Sequence, residues 1–350
     1  MAYGYAEGSR LHGVASMGSA PHANQPANVP GRHTDPIGNN VGKKGTKGFN
    51  SRSRSQYSVR RAPLRVASAV IQLMLATMEL VMLQLAACFT STTAMRVLLV
   101  RHAQSTNNVV ACEERSRTDI SVAEIERSFE SRRVHDPALS VVGEQQAEAL
   151  VRSLLFDPEL AFYLDHPAPV HCSPMRRTLL TASPLLAAVP HWRGMIDERV
   201  YEVGGSYSRR GGVEVANAGA TPEALSCEFG SQFELSAALS SPAAAGKGWY
   251  PLDHRETREE ATQRVEQLAS WLAEVEVEGT TPLLVMVIHG DLLGYLLRAL
   301  LGTKARFLHY NTACTSLECA GGRWTMLYQN RCEHLSGADR TGAEMLSVVS

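Results

Sequence analysis

The stretch MRVLLVRHAQSTNN, residues 95–108, constrains the fold more than any other part of the chain. Its run Val97–Val100 carries no polar side chain, so a strand here is buried on both faces, as in a parallel sheet covered by helices. The run stops at Arg101-His102, and small and polar residues follow: Ala103, Gln104, Ser105, Asn107 and Asn108. A buried strand that delivers an arginine and a histidine together at its end can hold a phosphate beside a nucleophilic imidazole.

The same pattern returns downstream. PVHC (169–172) reads as a short strand stopping at Ser173, and LLVMVI (283–288) as a second buried strand stopping at His289-Gly290. Helical patterns lie between them. Ser140 is placed to cap a helix over about 141–155, with Glu144 in its first turns. Residues 174–188 read as a helix with Pro174 near its start. Residues 255–279 put Ala261, Val265, Leu268, Leu272 and Val275 on one face, and 292–302 form a helix stopped by Gly302. Residues 315–328 read as a hairpin turning at Gly321-Gly322. Residues 109–135, polar and charged, predict a loop with a short helix, and 203–250, rich in Gly, Ala and Ser, an irregular insertion. This alternation predicts a three-layer α/β/α sandwich with a mainly parallel central sheet. Ligands of such sheets bind at the carboxyl ends of the strands, where three of these segments converge.

Charge divides the chain. Residues 1–94 hold 10 Lys+Arg and 3 Asp+Glu, whereas the remainder holds 24 and 32. An acidic body argues against a nucleic-acid partner. Residues 1–65, rich in Gly, Ser, Asn, Pro and Arg without hydrophobic periodicity, predict a disordered basic segment. Residues 66–94 are apolar, and three readings stand: a membrane anchor through 66–90, a targeting segment, or an upstream extension that a domain starting at Met95 does not need. Glu79 near the centre costs an inserted span about 2.5–3.5 kcal/mol, and Gln72 and Gln84 weaken it further, so membrane association is not favoured. The seven cysteines are odd in number and form no C-x-x-C pair. They read as free thiols in a reducing compartment, neither a disulfide framework nor a zinc site. An intracellular, cytoplasmic location is favoured, with mitochondrial or membrane-anchored placement as the alternatives. The working domain spans 95–335, and 336–350 is expected to be a flexible tail. Oligomeric state is not legible here.

A phosphoryl group needs cationic donors, an in-line nucleophile and an acid for the leaving oxygen. His102 is the candidate nucleophile, Arg101 and an arginine of HCSPMRRTLLTA the forked donors, and His289 a further donor. Arg176 and Arg177 compete for the second arginine, and Asp197, Glu198 and Glu202 of DERVYEVGG for the acid. Glu202 is favoured because a Gly-rich turn follows it. Each residue also has an ordinary reading, Arg101 as a surface cation and His289 as a core histidine. Their common placement at strand ends favours function. Arg209 and Arg210 read as a solvated pair, and Trp249 and Tyr250 as core or as a lid.

These residues carry a resemblance. The chain resembles the histidine phosphatase superfamily, phosphoglycerate mutase-like branch, whose opening Arg-His-Gly-Glu-Ser-x-x-Asn is matched by Arg101 to Asn108. Leu139, Ser140, Gly143, Gln146 and Ala147 match Pro-Leu-Thr-x-x-Gly-x-x-Gln-Ala. Ser173 to Ala182 match Ser-Pro-Leu-x-Arg-Ala-x-x-Thr-Ala, a register that selects Arg177. Val200-Tyr201-Glu202 matches Leu-x-Glu, and His289-Gly290 the late His-Gly. Asn311, Asn330, His334 and Leu335 resemble the family's tail. The resemblance implies a phosphohistidine on His102, a phosphate pocket of Arg101, Arg177 and His289 with Asn108 as accessory contact, and Glu202 as proton donor. It implies a phosphomonoesterase acting on a phosphorylated small molecule or a phosphoprotein, with no metal and no cofactor. Ala103 and Gln104 depart from the family's Gly and Glu, which leaves proton transfer to Glu202. The alternatives are a phosphoglycerate-type mutase, a membrane-anchored protein Ser/Thr phosphatase, and a non-catalytic phosphate-binding module.

Overall fold

The structure is a computed structural model that describes residues 73–78, 94–210 and 213–342. The expectations for 1–65, for most of 66–94 and for 343–350 lie outside the described residues. Among the described residues no helix is long and apolar enough to cross a membrane.

Residues 95–342 build a seven-stranded sheet in the order β6-β3-β2-β7-β1-β8-β9. Its strands are β1 (Met95–Arg101), β2 (Pro169–Cys172), β3 (Arg193–Ile196), β6 (Phe233–Leu235), β7 (Leu283–Ile288), β8 (Cys314–Ala320) and β9 (Arg323–Arg331). The first five run parallel, and β8 and β9 are antiparallel additions on the β1 side. β1 sits between β7 and β8, and β7 is apolar throughout and wholly buried. The period of two in a strand then sends alternate side chains to opposite faces. Leu98 and Val100 of β1, with Leu283, Val285 and Val287 of β7, enter one core. Val97 and Leu99, with Leu284, Met286 and Ile288, enter the other.

Helices cover each face. The first core is closed by α3 (Val141–Leu155) through Leu150, Val151 and Leu154, and by α4 (Arg176–Ala188) through Leu179, Ala182, Leu185 and Leu186. The second is closed by α6 (Arg258–Glu278) through Val265, Leu268 and Leu272, and by α7 (Gly290–Leu301) through Leu292, Leu293, Leu296 and Leu297. The architecture is the expected three-layer α/β/α sandwich.

The helix ends follow their capping chemistry. Ser140 accepts from the Gly143 N–H at the start of α3. Thr257 and Glu260 close a reciprocal capping box on α6. Gly302 ends α7 in the left-handed region. The helix α4 starts at Arg176, two residues after Pro174, with Met175 as its N-cap.

Three expectations are corrected. Residues 109–135 are mostly helical: α1 (Thr106–Arg115) and α2 (Val122–Arg132) are both capped by serine boxes. No residue of α2 is fully buried, although Val122, Ile125 and Phe129 recur at helical spacing. Residues 203–250 are not irregular throughout. They hold the ribbon β4 (Tyr207–Arg210) and β5 (Val213–Ala216), the helix α5 (Pro222–Phe229), and β6, which extends the central sheet. Trp249 and Tyr250 belong to the first core and are 4% exposed each, which removes the lid reading. Finally, residues 336–342 are not a loose tail but lie hydrogen-bonded beneath the end of β1.

Candidate active site

The parallel order places the carboxyl ends of β2, β7 and β1 side by side. The last rungs of the ladder fix the backbone there. His102 N–H donates to the Ile288 carbonyl at 2.8 Å, and Arg101 N–H to that of Ala313 at 3.2 Å. The His102 ring turns back so that Nδ1 meets the Ala103 carbonyl at 2.7 Å. A carbonyl only accepts, so Nδ1 carries the proton and Nε2 keeps its lone pair. Arg177, in the first turn of α4, donates from Nε to that lone pair at 3.2 Å. Its Nη2 donates to His289 Nδ1 at 3.0 Å. His289, the N-cap of α7, therefore carries its proton on Nε2, and that buried N–H has no hydrogen-bond partner among the described residues. The two imidazoles lie 5.2 Å apart between centroids. His102, His289 and Arg101 are all buried.

Burial, then the charges of Arg177 and Arg101, hold the His102 imidazole well below its ordinary value, against the opposing Ala103 carbonyl. Burial and the same arginines, with His102, do likewise for His289. Both rings are therefore neutral at physiological pH, and His102 Nε2 presents an unprotonated nitrogen in an arginine-lined recess.

The three competing carboxylates separate by their partners. Burial alone would push Asp197 up, but Arg199 and His171 hold it well below the usual carboxylate range. Glu198 takes the hydroxyl of Ser236. Glu202 accepts from the Val203 N–H at 2.9 Å and from the Leu292 N–H, at the start of α7, at 3.0 Å. Burial and the Asp291 charge push it up to about 7, against the pull of Arg177. It is the carboxyl group poised to exchange a proton near neutral pH.

A buried ion pair clamps the segment around Glu202. Glu256 accepts from Arg264 Nε and Nη2 at 2.7 and 2.8 Å, from the Tyr201 hydroxyl at 2.9 Å and from the Gly204 N–H at 3.1 Å. Arg264 Nη1 donates in turn to the carbonyls of Arg199 and Tyr201 at 2.8 and 3.1 Å. On the other side, Asp136 accepts from the Arg176 N–H at 3.0 Å and lends its charge to Arg177. Thr181 links the two halves, accepting from the Ala103 N–H at 2.9 Å and donating to the Arg177 carbonyl at 2.6 Å.

The two departures from the family pattern have local explanations. Ala103 does not adopt positive φ and packs with Leu139 and Ala147, so a methyl group is welcome there. The Gln104 side chain accepts from the Ser140 hydroxyl at 2.7 Å and braces the cap of α3. Gly143 shows why α3 can come so close: a Cβ there would stand 2.0 Å from the Gln104 carbonyl oxygen. Cys172, at the end of β2, is wholly buried, and burial pushes its thiol far up.

Residues 232–331 match the family model of the histidine phosphatase superfamily, branch 1. That segment carries the likeness to the superfamily. It contains His289, while Arg101, His102, Arg177 and Glu202 precede it. No curated protein matches the chain. Among solved structures, the chain is similar to the alpha-ribazole phosphatase of Shigella flexneri, with 19% identity over 68% of this chain and 96% of that one and a TM-score of 0.42. It is similar to a mycobacterial glucosyl-3-phosphoglycerate phosphatase, at 21% over 68% and 100% with a TM-score of 0.37. It is also similar to a phosphoserine phosphatase from Entamoeba histolytica, at 15% over 69% and 100% with a TM-score of 0.39.

Arg101, His102, Arg177, His289 and Glu202 are thus brought together at one rim. Asn108 closes the cap of α1, its Oδ1 accepting from the Ser105 N–H and hydroxyl, both at 3.0 Å. Among the described residues no group of three His, Cys, Asp or Glu is spaced to hold a metal ion. Sequence reasoning missed Asp136, Glu256 and Arg264. The φ of +49° at Asp136 is a property of the folded turn. Glu256 and Arg264 look in sequence like two more charges on an amphipathic helix and its approach.

Proposed function

We propose that this chain is a phosphatase that hydrolyses a phosphomonoester through a phosphohistidine on His102. The observation that carries the reading is the state of His102. Its proton is fixed on Nδ1 by the Ala103 carbonyl, and its unprotonated Nε2 accepts from the Arg177 guanidinium. An imidazole so arranged can attack an anion that the arginines hold in place.

In the first step the Nε2 lone pair attacks phosphorus, and the bond from phosphorus to the ester oxygen breaks. That oxygen takes the proton of the Glu202 carboxyl and leaves as an alcohol. Arg101, Arg177 and the His289 Nε2–H stabilise the charge on the equatorial oxygens. In the second step the Glu202 carboxylate takes a proton from water, whose oxygen attacks phosphorus. The bond from phosphorus to nitrogen breaks, Nε2 recovers its lone pair, and orthophosphate departs with Glu202 again protonated.

The test is turnover of p-nitrophenyl phosphate by the wild type, His102→Ala and Glu202→Gln. His102→Ala is expected to lose at least about a thousand-fold in kcat, the scale on which losing a nucleophile acts. A rapid acid-free quench should trap acid-labile phosphate on the wild type and none on His102→Ala. Full turnover by His102→Ala would overturn the phosphohistidine reading.

A further inference from the structure

The hydrogen bonds that hold the site continue into the last described residues. Gln146, on α3, accepts from the Gln104 N–H at 2.8 Å. Its amide nitrogen donates to the Asp339 carbonyl at 2.7 Å and to the Thr341 hydroxyl oxygen at 2.9 Å. The Thr341 hydroxyl donates to Asn311 Oδ1 at 3.0 Å, and the Thr341 carbonyl accepts from the Asn311 N–H at 2.8 Å. Asn311 Nδ2 donates to the carbonyl of His102 itself at 2.8 Å. One residue further on, the Gly342 carbonyl accepts from Arg101 Nη1 at 2.9 Å, a nitrogen that also donates to the His309 carbonyl.

A guanidinium is planar, so fixing one nitrogen on two carbonyls fixes the plane of the whole fork. The orientation of Arg101 beside His102 is therefore set in part by the chain at 339–342. The approach is close enough to exclude a side chain at position 342. Gly342 has φ +97°, and a Cβ there would stand 2.5 Å from both Arg101 Nη1 and Asn311 Oδ1. A segment that only packed against the surface would not need a glycine in the left-handed region beneath a buried arginine.

We propose that Thr341 and Gly342 are positioning residues of the active site: the strap 339–342 aims the Arg101 guanidinium at the phosphate that His102 attacks. The proposal rests on the phosphatase reading above. Neither residue touches the phosphate. They act through Arg101 and through Asn311, which holds the His102 carbonyl.

The experiment uses the full chain and three variants, Gly342→Ala, Thr341→Ala and Thr341→Ser. The measurements are kcat and KM on p-nitrophenyl phosphate, the Kd of inorganic phosphate by calorimetry, and the thermal midpoint. Gly342→Ala and Thr341→Ala are expected to lower kcat by about 10- to 100-fold, the scale of a small misplacement at a reacting centre. They should also weaken phosphate binding while the midpoint moves by only a few degrees. Thr341→Ser keeps the hydroxyl and should restore wild-type kcat and phosphate affinity. If Gly342→Ala does not fold, the Thr341 pair decides alone. Unchanged kcat and phosphate Kd in the alanine variants would overturn the proposal. So would a serine variant as impaired as the alanine one, or losses that follow the midpoint alone. A wild type that neither turns over the ester nor binds phosphate would instead remove the phosphatase reading, and the role of the strap with it.

Discussion

At the scale of single residues, the site is a set of groups held away from their ordinary protonation states. Glu202 has the clearest consequence. A general acid must be protonated to act, so with its carboxyl pushed up to about 7, activity should hold at acidic to neutral pH and fall as pH rises past 7. His102, held well below its ordinary value, should add no limb until far below pH 6.5. A profile of kcat/KM against pH for p-nitrophenyl phosphate checks this, and Glu202→Gln should abolish the alkaline limb together with most of the turnover. A stability effect of the same sense accompanies it. The folded protein binds the Glu202 proton more tightly than the unfolded chain does, so stability falls as pH rises from 4.5 to about 7 and stays reduced above. Glu202→Gln removes that loss. Its thermal midpoint should exceed that of the wild type at pH 8 and match it at pH 4. Much of this site was legible in the sequence, because Arg101, His102 and His289 sit where buried runs end. Selecting Glu202 by physics needed the folded partners of Asp197 and Glu198, which are ordinary carboxylates until His171, Arg199 and Ser236 arrive.

At the scale of elements, periodicity carried β1, β7, α3, α6 and the β8–β9 hairpin, because each buries a face that the residue pattern must reflect. Some of the elements it missed bury little. α2 has no buried residue and β6 is only three residues long. The strap at 339–342 is held by main-chain carbonyls and one glycine, which composition cannot show. The loop carrying Glu202 depends on a pair of elements as well. Glu256, ahead of α6, and Arg264, on it, tie down the backbone on both sides of Glu202. Glu256→Gln leaves the Arg264 guanidinium buried without its counter-charge. Breaking such a pair costs about 3–5 kcal/mol, so denaturant unfolding should show a loss of that size. Turnover should fall further than the folded fraction does, because the acid is no longer held against the α7 N-terminus.

At the scale of the whole molecule, the site occupies the rim where the parallel strands end, and the two cores beneath it carry no part of the chemistry. Phosphate esters are cleaved in nature through several nucleophiles, and the choice decides what can poison the catalyst. In the proposed reaction the nucleophile is an imidazole, and the thiol of Cys172, at the end of β2, is wholly buried and pushed far from ionisation. Among the described residues, the exposed thiols are Cys112 and Cys227, neither of which enters the site. Alkylation and mild peroxide act on the thiolate at an accessible sulfur. Treatment of the native protein with iodoacetamide or hydrogen peroxide should therefore label Cys112 and Cys227 by mass spectrometry and leave p-nitrophenyl phosphate turnover unchanged. Such a catalyst would keep removing phosphate through an oxidative burst that silences thiol-dependent dephosphorylation around it.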